Sequence, residues 1–268
     1  ITGAASACVG STGNIYTTEA GMSGYTWTVS AGGTITAGAG SNSITVSWTS
    51  TGTKTITVNY TNANGCNATT ATIYSVTVNA NPIATITGAT SFCAGGSLVL
   101  SAATSTAGSG TISGYQWNLS GTPIAGATSS TYTVTTAGSY TVTVTNSNNC
   151  STTSAVRNVT VTALPTITSG ANPSVCRSVT TANLPYSAPT GTPNQYSIDY
   201  DATANGAGFT DVTNAALPAS PIVLTVPAAA PVATYNATLT VRNSTNGCVS
   251  NSYPITITVN ARPVPTIT

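Results

Sequence analysis

A short segment occurs three times in this 268-residue chain. Pro82-Ile-Ala-Thr-Ile-Thr-Gly88 recurs as Pro165-Thr-Ile-Thr-Ser-Gly170 and again as Pro263-Val-Pro-Thr-Ile-Thr268. The first three residues, Ile-Thr-Gly, match the middle of that segment, so the chain is expected to begin inside a strand. A fixed repeat of this length indicates an array of similar small domains, and such arrays commonly have mechanical or multivalent roles.

The repeat divides the chain into predicted domains. These are 1–82 (repeat 1), 83–165 (repeat 2) and a longer 166–263 (repeat 3), with 264–268 starting a fourth repeat. Each is close to the size below which a hydrophobic core alone is marginal, so cross-links are expected. Each repeat ends at a proline without a Gly/Ser spacer, which predicts stiff head-to-tail junctions.

The composition excludes several classes of protein. Only 3% of the residues are charged, whereas 40% are hydrophobic. The five basic residues are scattered and form no phosphate-binding stripe, which excludes a nucleic-acid partner. The sequence has no run of about 20 apolar residues, so no membrane span is expected in this segment. Intrinsic disorder is also disfavoured, because it requires low hydrophobicity and high net charge.

Alternating apolar and small polar residues dominate the sequence. Ile44, Val46 and Trp48 alternate with Thr and Ser, and Tyr140, Val142 and Val144 do the same in repeat 2. This period of two predicts strands with one buried and one solvated face, and threonine suits the solvated face. Turns are expected where Gly and Asn cluster. The sequence therefore predicts an all-β protein of tandem immunoglobulin-like β-sandwich domains, about seven strands each.

Six cysteines fall two to a repeat. Fifteen pairings are possible, but a self-sufficient repeat favours one disulfide per domain. The expected bonds are Cys8–Cys66, Cys93–Cys150 and Cys176–Cys248. A metal site is disfavoured, because the chain has no histidine and no Cys-x-x-Cys motif. Disulfides persist outside the cytosol, so an extracellular location is expected.

Three segments carry a resemblance to a known family. Trp27-Thr-Val-Ser-Ala-Gly-Gly-Thr-Ile35, Gly138-Ser-Tyr-Thr-Val-Thr-Val-Thr-Asn146 and Tyr235-Asn-Ala-Thr-Leu-Thr-Val-Arg-Asn243 resemble the tandem PKD-like, immunoglobulin-like repeats of large Bacteroidota cell-surface proteins and gliding adhesins. The resemblance implies an exported bacterial protein at the cell surface, without catalytic residues. The acidic, glycine-rich stretch of classical PKD domains is missing after Trp27 and Trp117.

Enzymatic chemistry has few candidate residues. Without histidine a Ser-His-Asp relay cannot form, so no enzyme and no cofactor are expected. The one cluster of charge is Asp199, Asp201 and Asp211. Asp199 and Asp201 would share a face of a strand and, with Asp211, could bind Ca²⁺. The favoured alternative is that they are solvated strand-edge charges that prevent edge pairing.

The aromatic residues offer a second set of candidates. Trp27, Trp48 and Trp117 are in phase with aliphatic positions, so we expect them in the core and not in a sugar-binding platform. Tyr74 and Tyr132, together with Tyr253, are weaker candidates for exposed contacts.

The predicted function is a non-enzymatic, extracellular structural role as a segment of a repetitive surface fibre or adhesin stalk. The partners would be copies of the chain in a longer array or filament, or surface glycans or proteins. A continuous chain is favoured over subunits joined by strand addition. The alternatives are an adhesin in which repeat 3 binds a glycan or protein, and an accessory region of an enzyme.

Overall fold

Strands make up almost all of the regular structure in the computed structural model, which describes residues 1–265. The predicted all-β immunoglobulin-like class is confirmed. The expected start of a fourth repeat lies partly outside the described residues, at 266–268. Repeat 1 contains eight strands: β1 (Thr2–Gly3), β2 (Ser6–Cys8), β3 (Asn14–Thr17), β4 (Ser23–Val29), β5 (Gly33–Ala37), β6 (Ser43–Trp48), β7 (Gly52–Thr61) and β8 (Thr72–Asn79).

Two four-stranded sheets form the sandwich of repeat 1, in the orders β1-β3-β6-β5 and β2-β8-β7-β4. All their pairs are antiparallel except β2 with β8, where Cys8 lies opposite Asn79 in a parallel ladder. This pair places the first cysteine beside the last residue of the terminal strand. The position of that cysteine becomes important for the disulfides.

Repeat 2 also has eight strands: β9 (Ser91–Cys93), β10 (Leu98–Ser101), β11 (Ile112–Leu119), β12 (Thr122–Pro123), β13 (Thr131–Val134), β14 (Gly138–Asn146), β15 (Ser151–Thr153) and β16 (Arg157–Thr162). The central strand β14 pairs with β11 on one side and with both β15 and β16 on the other. Strands β10 and β13 form the second layer.

Repeat 3 has nine strands and one short helix: β17 (Thr166–Ser169), β18 (Ser174–Cys176), β19 (Thr181–Leu184), β20 (Tyr186–Thr190), β21 (Gln195–Tyr200), α1 (Ala202–Gly206), β22 (Val212–Ala216), β23 (Ile222–Thr225), β24 (Ala233–Arg242) and β25 (Tyr253–Asn260). The main sheet has the order β18-β25-β24-β21-β22, with the pairs β17-β20 and β19-β23 beside it. Strand β18 is parallel to β25, as β2 is to β8.

The buried residues confirm the inward-facing strand positions predicted from the alternation of apolar and polar residues. Trp48 and Trp117 are 0% exposed and Trp27 is 7% exposed, so all three tryptophans lie in the core as expected. Each indole N–H also finds a partner: Trp27 donates to the Ser41 carbonyl at 2.8 Å, and Trp117 donates to that of Ser129 at 2.9 Å. A buried indole is favourable only when its N–H is bonded in this way.

Contacts divide the chain into two compact units. Unit 1 contains Ile1–Thr90 and Ser97–Thr160, and unit 2 contains Ser91–Gly96 and the chain from Val161 onward. Repeat 1 and most of repeat 2 therefore form one unit, while the β9 segment of repeat 2 belongs to the unit that holds repeat 3. The predicted division at 82, 165 and 263 stays a prediction. Among residues 1–265, no helix has the length and apolar character needed to cross a bilayer.

Candidate functional site: disulfide-linked joints between repeats

The disulfides join consecutive repeats, which makes the expected pairing within each repeat wrong. Cys8 of repeat 1 bonds Cys150 of repeat 2, with the Cα atoms 5.6 Å apart and 142 residues between them in sequence. Cys93 of repeat 2 bonds Cys248 of repeat 3 across 155 residues. The other two cysteines, Cys66 and Cys176, are exposed thiols.

Strand geometry explains why the pairing within a repeat fails. Cys8 lies beside Asn79 at the end of β8, whereas Cys66 precedes the start of that strand at Thr72. Seven residues of extended chain separate these two ends by about 23 Å. A disulfide requires Cα atoms within about 7 Å, so Cys8 and Cys66 cannot meet without rebuilding the sandwich.

Two kinds of cysteine therefore alternate along the chain. The strand cysteines, Cys8, Cys93 and Cys176, end the first strand of the parallel ladder in each repeat or lie in the equivalent strand. The turn cysteines, Cys66, Cys150 and Cys248, follow the predicted Asn/Gly turns. In those turns Gly65, Asn149 and Gly247 adopt φ of 78°, 60° and 76°, values that Gly and Asn tolerate best. Each observed bond joins a strand cysteine to the turn cysteine of the next repeat.

We call the contact between two repeats at an interrepeat disulfide a joint, the first being at Cys8–Cys150. A buried asparagine organises this first joint. Asn146, 0% exposed, ends β14 four residues before Cys150. Its Oδ1 accepts hydrogen bonds from the backbone N–H groups of Asn148 and Cys150, both at 3.0 Å, and shapes the turn. Its Nδ2 donates to the carbonyls of Ala80 at 3.1 Å and Ala107 at 2.9 Å. Because Ala80 lies in the segment that leaves repeat 1, one side chain connects the turn, the linker and the disulfide.

Asn243 has the corresponding position in repeat 3. Its Oδ1 accepts from the Thr245 N–H at 2.9 Å, and its Nδ2 donates to the Gly191 carbonyl at 3.0 Å and the Thr192 hydroxyl at 2.9 Å. Gly191 has φ of 67°, and a Cβ there would lie 2.9 Å from the Cα of Pro165. The linker proline thus packs against a position that only glycine can occupy. These asparagines were not among the residues predicted from the sequence, although each precedes a turn cysteine by four or five residues.

The linkers are held by side chains that reach back to the strand cysteines. Asn81 Nδ2 donates to the carbonyl of Val9, directly after Cys8, at 3.0 Å. Arg262 Nε donates to the carbonyl of Arg177, directly after Cys176, at 2.8 Å. Both donors immediately precede a proline. The linker residues are thus fixed by hydrogen bonds as well as by the restricted φ of proline.

The aspartates are used for local structure in repeat 3. Contrary to the prediction, Asp201 does not lie on the strand with Asp199. Strand β21 ends at Tyr200, and Asp201 is the N-cap of α1. Its Oδ1 accepts from the Ala204 N–H at 2.8 Å, and its Oδ2 accepts from Asn236 Nδ2 at 3.0 Å. Asp211 Oδ1 accepts from the Tyr200 N–H at 2.9 Å. Asp199 is exposed. Within residues 1–265, no three acidic, His or Cys side chains group as metal ligands, so the structure gives the Ca²⁺ hypothesis no support.

The tyrosines suggested for exposed contacts are partly buried. Tyr132 stacks on Trp117 with ring centroids 5.9 Å apart, and the Tyr74 hydroxyl donates to the Gly3 carbonyl at 2.6 Å. Tyr253 accepts a hydrogen bond from the Ile167 N–H at 3.1 Å. In the described part of the chain, no aromatic side chain falls in the exposed class. Each of the three suggested tyrosines therefore makes a contact within the protein.

Two titratable groups in repeat 3 have shifted pKa values. Burial, together with the nearby Tyr196 and Asp211, raises the pKa of Tyr200 to about 12. The Ala204 N–H and the Asn236 side chain stabilise the Asp201 carboxylate and hold its pKa below its ordinary value of 3.8. Each shift follows from packing or capping. Neither group has the pKa near neutrality that general acid–base catalysis favours.

The fold defines a class: immunoglobulin-like β-sandwich domains in tandem. Residues 1–76 match the family model of the PKD-like domain, and residues 79–163 match that of the PKD domain. The chain therefore carries two tandem PKD-like domains. Such domains are typically non-catalytic structural or adhesion modules. This domain composition fits an extracellular adhesion or structural role and is consistent with an extracellular location.

Solved structures with a similar fold are distant in sequence. Three N-terminal domains of the outer capsid protein Hoc of bacteriophage RB49 align with 16% identity and a TM-score of 0.43, covering 96% of both chains. Fibronectin(III)-like modules of Clostridium thermocellum CbhA align with 14% identity and a TM-score of 0.40, covering 67% of this chain and 95% of theirs. A Ca²⁺-stabilised, ice-binding adhesin of an Antarctic bacterium aligns with 15% identity and a TM-score of 0.40, covering 97% of this chain and 72% of its own. No curated protein sequence matches the chain.

Proposed function

We propose that this chain is a load-bearing segment of a non-enzymatic, extracellular surface fibre or adhesin stalk of an exported bacterial protein. The observation that carries the proposal is the pair of disulfides that cross from one repeat to the next. A bond within a domain protects that domain alone, whereas a bond across a joint also carries tension past the linker. Disulfides of this kind persist in oxidising compartments, which supports an extracellular location.

The three-repeat organisation, with boundaries near 82, 165 and 263, is part of this proposal. It is supported by the repeated relation between strand cysteine, turn cysteine and linker proline. The surface chemistry also suits side-by-side or end-to-end assembly, because a chain with 3% charged residues has little long-range repulsion. The alternative, in which repeat 3 binds a glycan or protein, stays a prediction.

The connectivity makes a mechanical test possible. With both bonds closed, the shortest covalent route between the ends runs from residue 1 to 8, crosses to 150, returns to 93, crosses to 248 and continues to the C-terminus. Roughly a third of the chain then carries the load. At about 3.4 Å per residue, full extension is roughly 300 Å for the oxidised chain and roughly 900 Å for the reduced chain.

Single-molecule pulling from the two ends measures this difference directly. We expect the threefold gain in length to appear when a reductant is added, and to be absent from an oxidised double variant Cys66→Ser/Cys176→Ser, which keeps both bonds. An oxidised chain that extends to roughly 900 Å would contradict the proposed load path.

A further inference from the structure

Cys66 and Cys176 occupy the two kinds of position that the observed disulfides join. Within residues 1–265, Cys66 is a turn cysteine and Cys176 a strand cysteine, and neither takes part in a disulfide. Both thiols are exposed. The bonded turn cysteines Cys150 and Cys248 are each 1% exposed, so a turn cysteine is covered where its joint is complete.

Cys176 lies in the same local structure as the bonded Cys8. Cys176 is opposite Asn260 in a parallel ladder, as Cys8 is opposite Asn79. In both ladders the asparagine Nδ2 donates to a serine two residues before the cysteine, Ser174 at 2.6 Å or Ser6 at 2.8 Å. In both, the residue after the cysteine donates its N–H to the asparagine carbonyl at 2.9 Å. The strand that carries Cys176 therefore has the same local structure as the strand that carries the bonded Cys8.

Cys66 lies in the same turn as the bonded Cys150. Asn62 corresponds to Asn146, and its Oδ1 accepts from the N–H groups of Asn64 and Cys66, both at 3.0 Å. The backbone N–H of Asn62 donates to the Cys66 carbonyl at 2.9 Å, as Asn146 does to Cys150. The turn around Cys66 thus has the same hydrogen bonds as the turn around the bonded Cys150.

In the first joint, the asparagine of the turn also contacts the end of the preceding repeat. Asn146 Nδ2 donates to the carbonyl of Ala80, the residue after Asn79. The equivalent of Ala80 at the end of repeat 3 is Ala261, the residue after Asn260. Asn62 is exposed, and its Nδ2 donates no hydrogen bond to any atom of residues 1–265. A following copy that repeats the geometry of the first joint would bring this donor to the Ala261 carbonyl and its Cys66 thiol to Cys176.

We propose that two copies of this chain join end to end through a disulfide between Cys176 of one copy and Cys66 of the next. The oxidant is a low-molecular-weight disulfide such as oxidised glutathione. The Cys66 thiolate attacks one of its sulfurs and releases one glutathione thiolate. The Cys176 thiolate then attacks the Cys66 sulfur of the mixed disulfide and releases the second. Two protein thiols are oxidised, one glutathione disulfide is reduced to two thiols, and two protons leave the protein.

Two single variants test the bond in the intact protein. Cys66→Ser retains only the strand thiol and Cys176→Ser retains only the turn thiol. In a glutathione redox buffer, we expect each variant alone to stay monomeric and their mixture to form a dimer on a non-reducing gel. Mass spectrometry of the digested dimer should identify a peptide linking Cys176 to Cys66. Peptide mapping of each variant first verifies that the bonds Cys8–Cys150 and Cys93–Cys248 are intact.

Two outcomes would overturn the proposal: a mixture that remains monomeric, or homodimers of either variant that form as readily as the mixed dimer.

The Asn62 contact is tested with Asn62→Asp in the Cys176→Ser background, which keeps the turn acceptor and removes the donor. We expect the dimer to form about tenfold more slowly, as for the loss of a hydrogen bond and its replacement by carboxylate–carbonyl repulsion. Asn64→Asp adds the same charge in the same turn and should leave the rate unchanged.

This inference rests on the proposed structural role, but the two can fail separately. The pulling experiment reports on the bonds inside one chain, whereas the mixing experiment reports on the bond between chains. A short oxidised extension together with a monomeric mixture would keep the structural role and remove the end-to-end bond.

Discussion

At the scale of single residues, the joint depends on an amide that both donates and accepts. Asn146 makes two hydrogen bonds through each end of its side-chain amide and is 0% exposed. Neither a carboxylate nor a hydroxyl can reproduce this set, because the first has no donor and the second has too few atoms. The identity of the residue is therefore fixed by its partners.

Replacing Asn146 with alanine should destabilise unit 1 by about 3 kcal/mol, because buried carbonyl and N–H groups lose their partners. The matched control is Asn62→Ala, which removes the same turn contacts at an exposed position and should cost about 1 kcal/mol or less. Chemical denaturation followed by tryptophan fluorescence measures both values. Equal losses for the two variants would show that the contacts to Ala80 and Ala107 contribute little.

At the scale of elements, α1 depends on its cap. The helix has five residues, too few for propensity to stabilise it, and its first turn is closed by the Asp201 carboxylate. Five residues are also too few to show a period of 3.6, which is why the sequence predicted no helix there. The strands could be predicted because each alternates over enough residues to distinguish its two faces.

The cap should make the stability of repeat 3 depend on pH. Since the folded-state pKa of Asp201 is lowered, its contribution is fully present above the ordinary value of 3.8 and is lost as the pH falls through the lowered folded-state value. We therefore expect Asp201→Ala to lower Tm at neutral pH, and the difference from wild type to shrink in acid. Thermal melts across this pH range test the expectation. Asp199→Ala, at an exposed strand position, should show no such trend.

Threonine pairs explain how sheets with so few charges are stabilised at their solvated faces. Directly opposed threonines share hydroxyl hydrogen bonds, as in Thr2 with Thr17 at 2.6 Å, and Thr143 with Thr153 at 2.9 Å. Such cross-strand pairs contribute a few tenths of a kcal/mol each without requiring charge. The alternation predicted which face carries threonine, and the register decides which of them meet.

At the scale of the whole molecule, the sequence predicted that disulfides form but not which cysteines they join. Both pairing within a repeat and pairing with the next repeat join one strand cysteine to one turn cysteine. The order of the cysteines along the chain therefore does not distinguish the two pairings. Only the parallel ladder, which places the strand cysteine at the far end of the terminal strand, decides between them.

Removing one joint should weaken the protein more than removing an unbonded thiol. The double variant Cys8→Ser/Cys150→Ser removes the disulfide that closes a loop of 142 residues. In the chain-entropy model, a disulfide closing such a loop stabilises the folded state by up to about 5 kcal/mol. Differential scanning calorimetry should show a clearly lower Tm for unit 1. The control Cys66→Ser leaves both bonds in place and should melt like the wild type; a similar loss in both variants would contradict the role of the bond.

The two disulfides also overlap along the chain, because Cys93 lies between Cys8 and Cys150 while Cys248 lies beyond both. A single backbone cut anywhere between Cys8 and Cys248 leaves a disulfide that spans the break, so both pieces stay covalently attached. A protease would then have to cut the chain, and a reductant would have to open a disulfide, before any part between Cys8 and Cys248 was released. The arrangement therefore makes the chain tolerant of a single proteolytic cut, because the two fragments remain one covalent molecule.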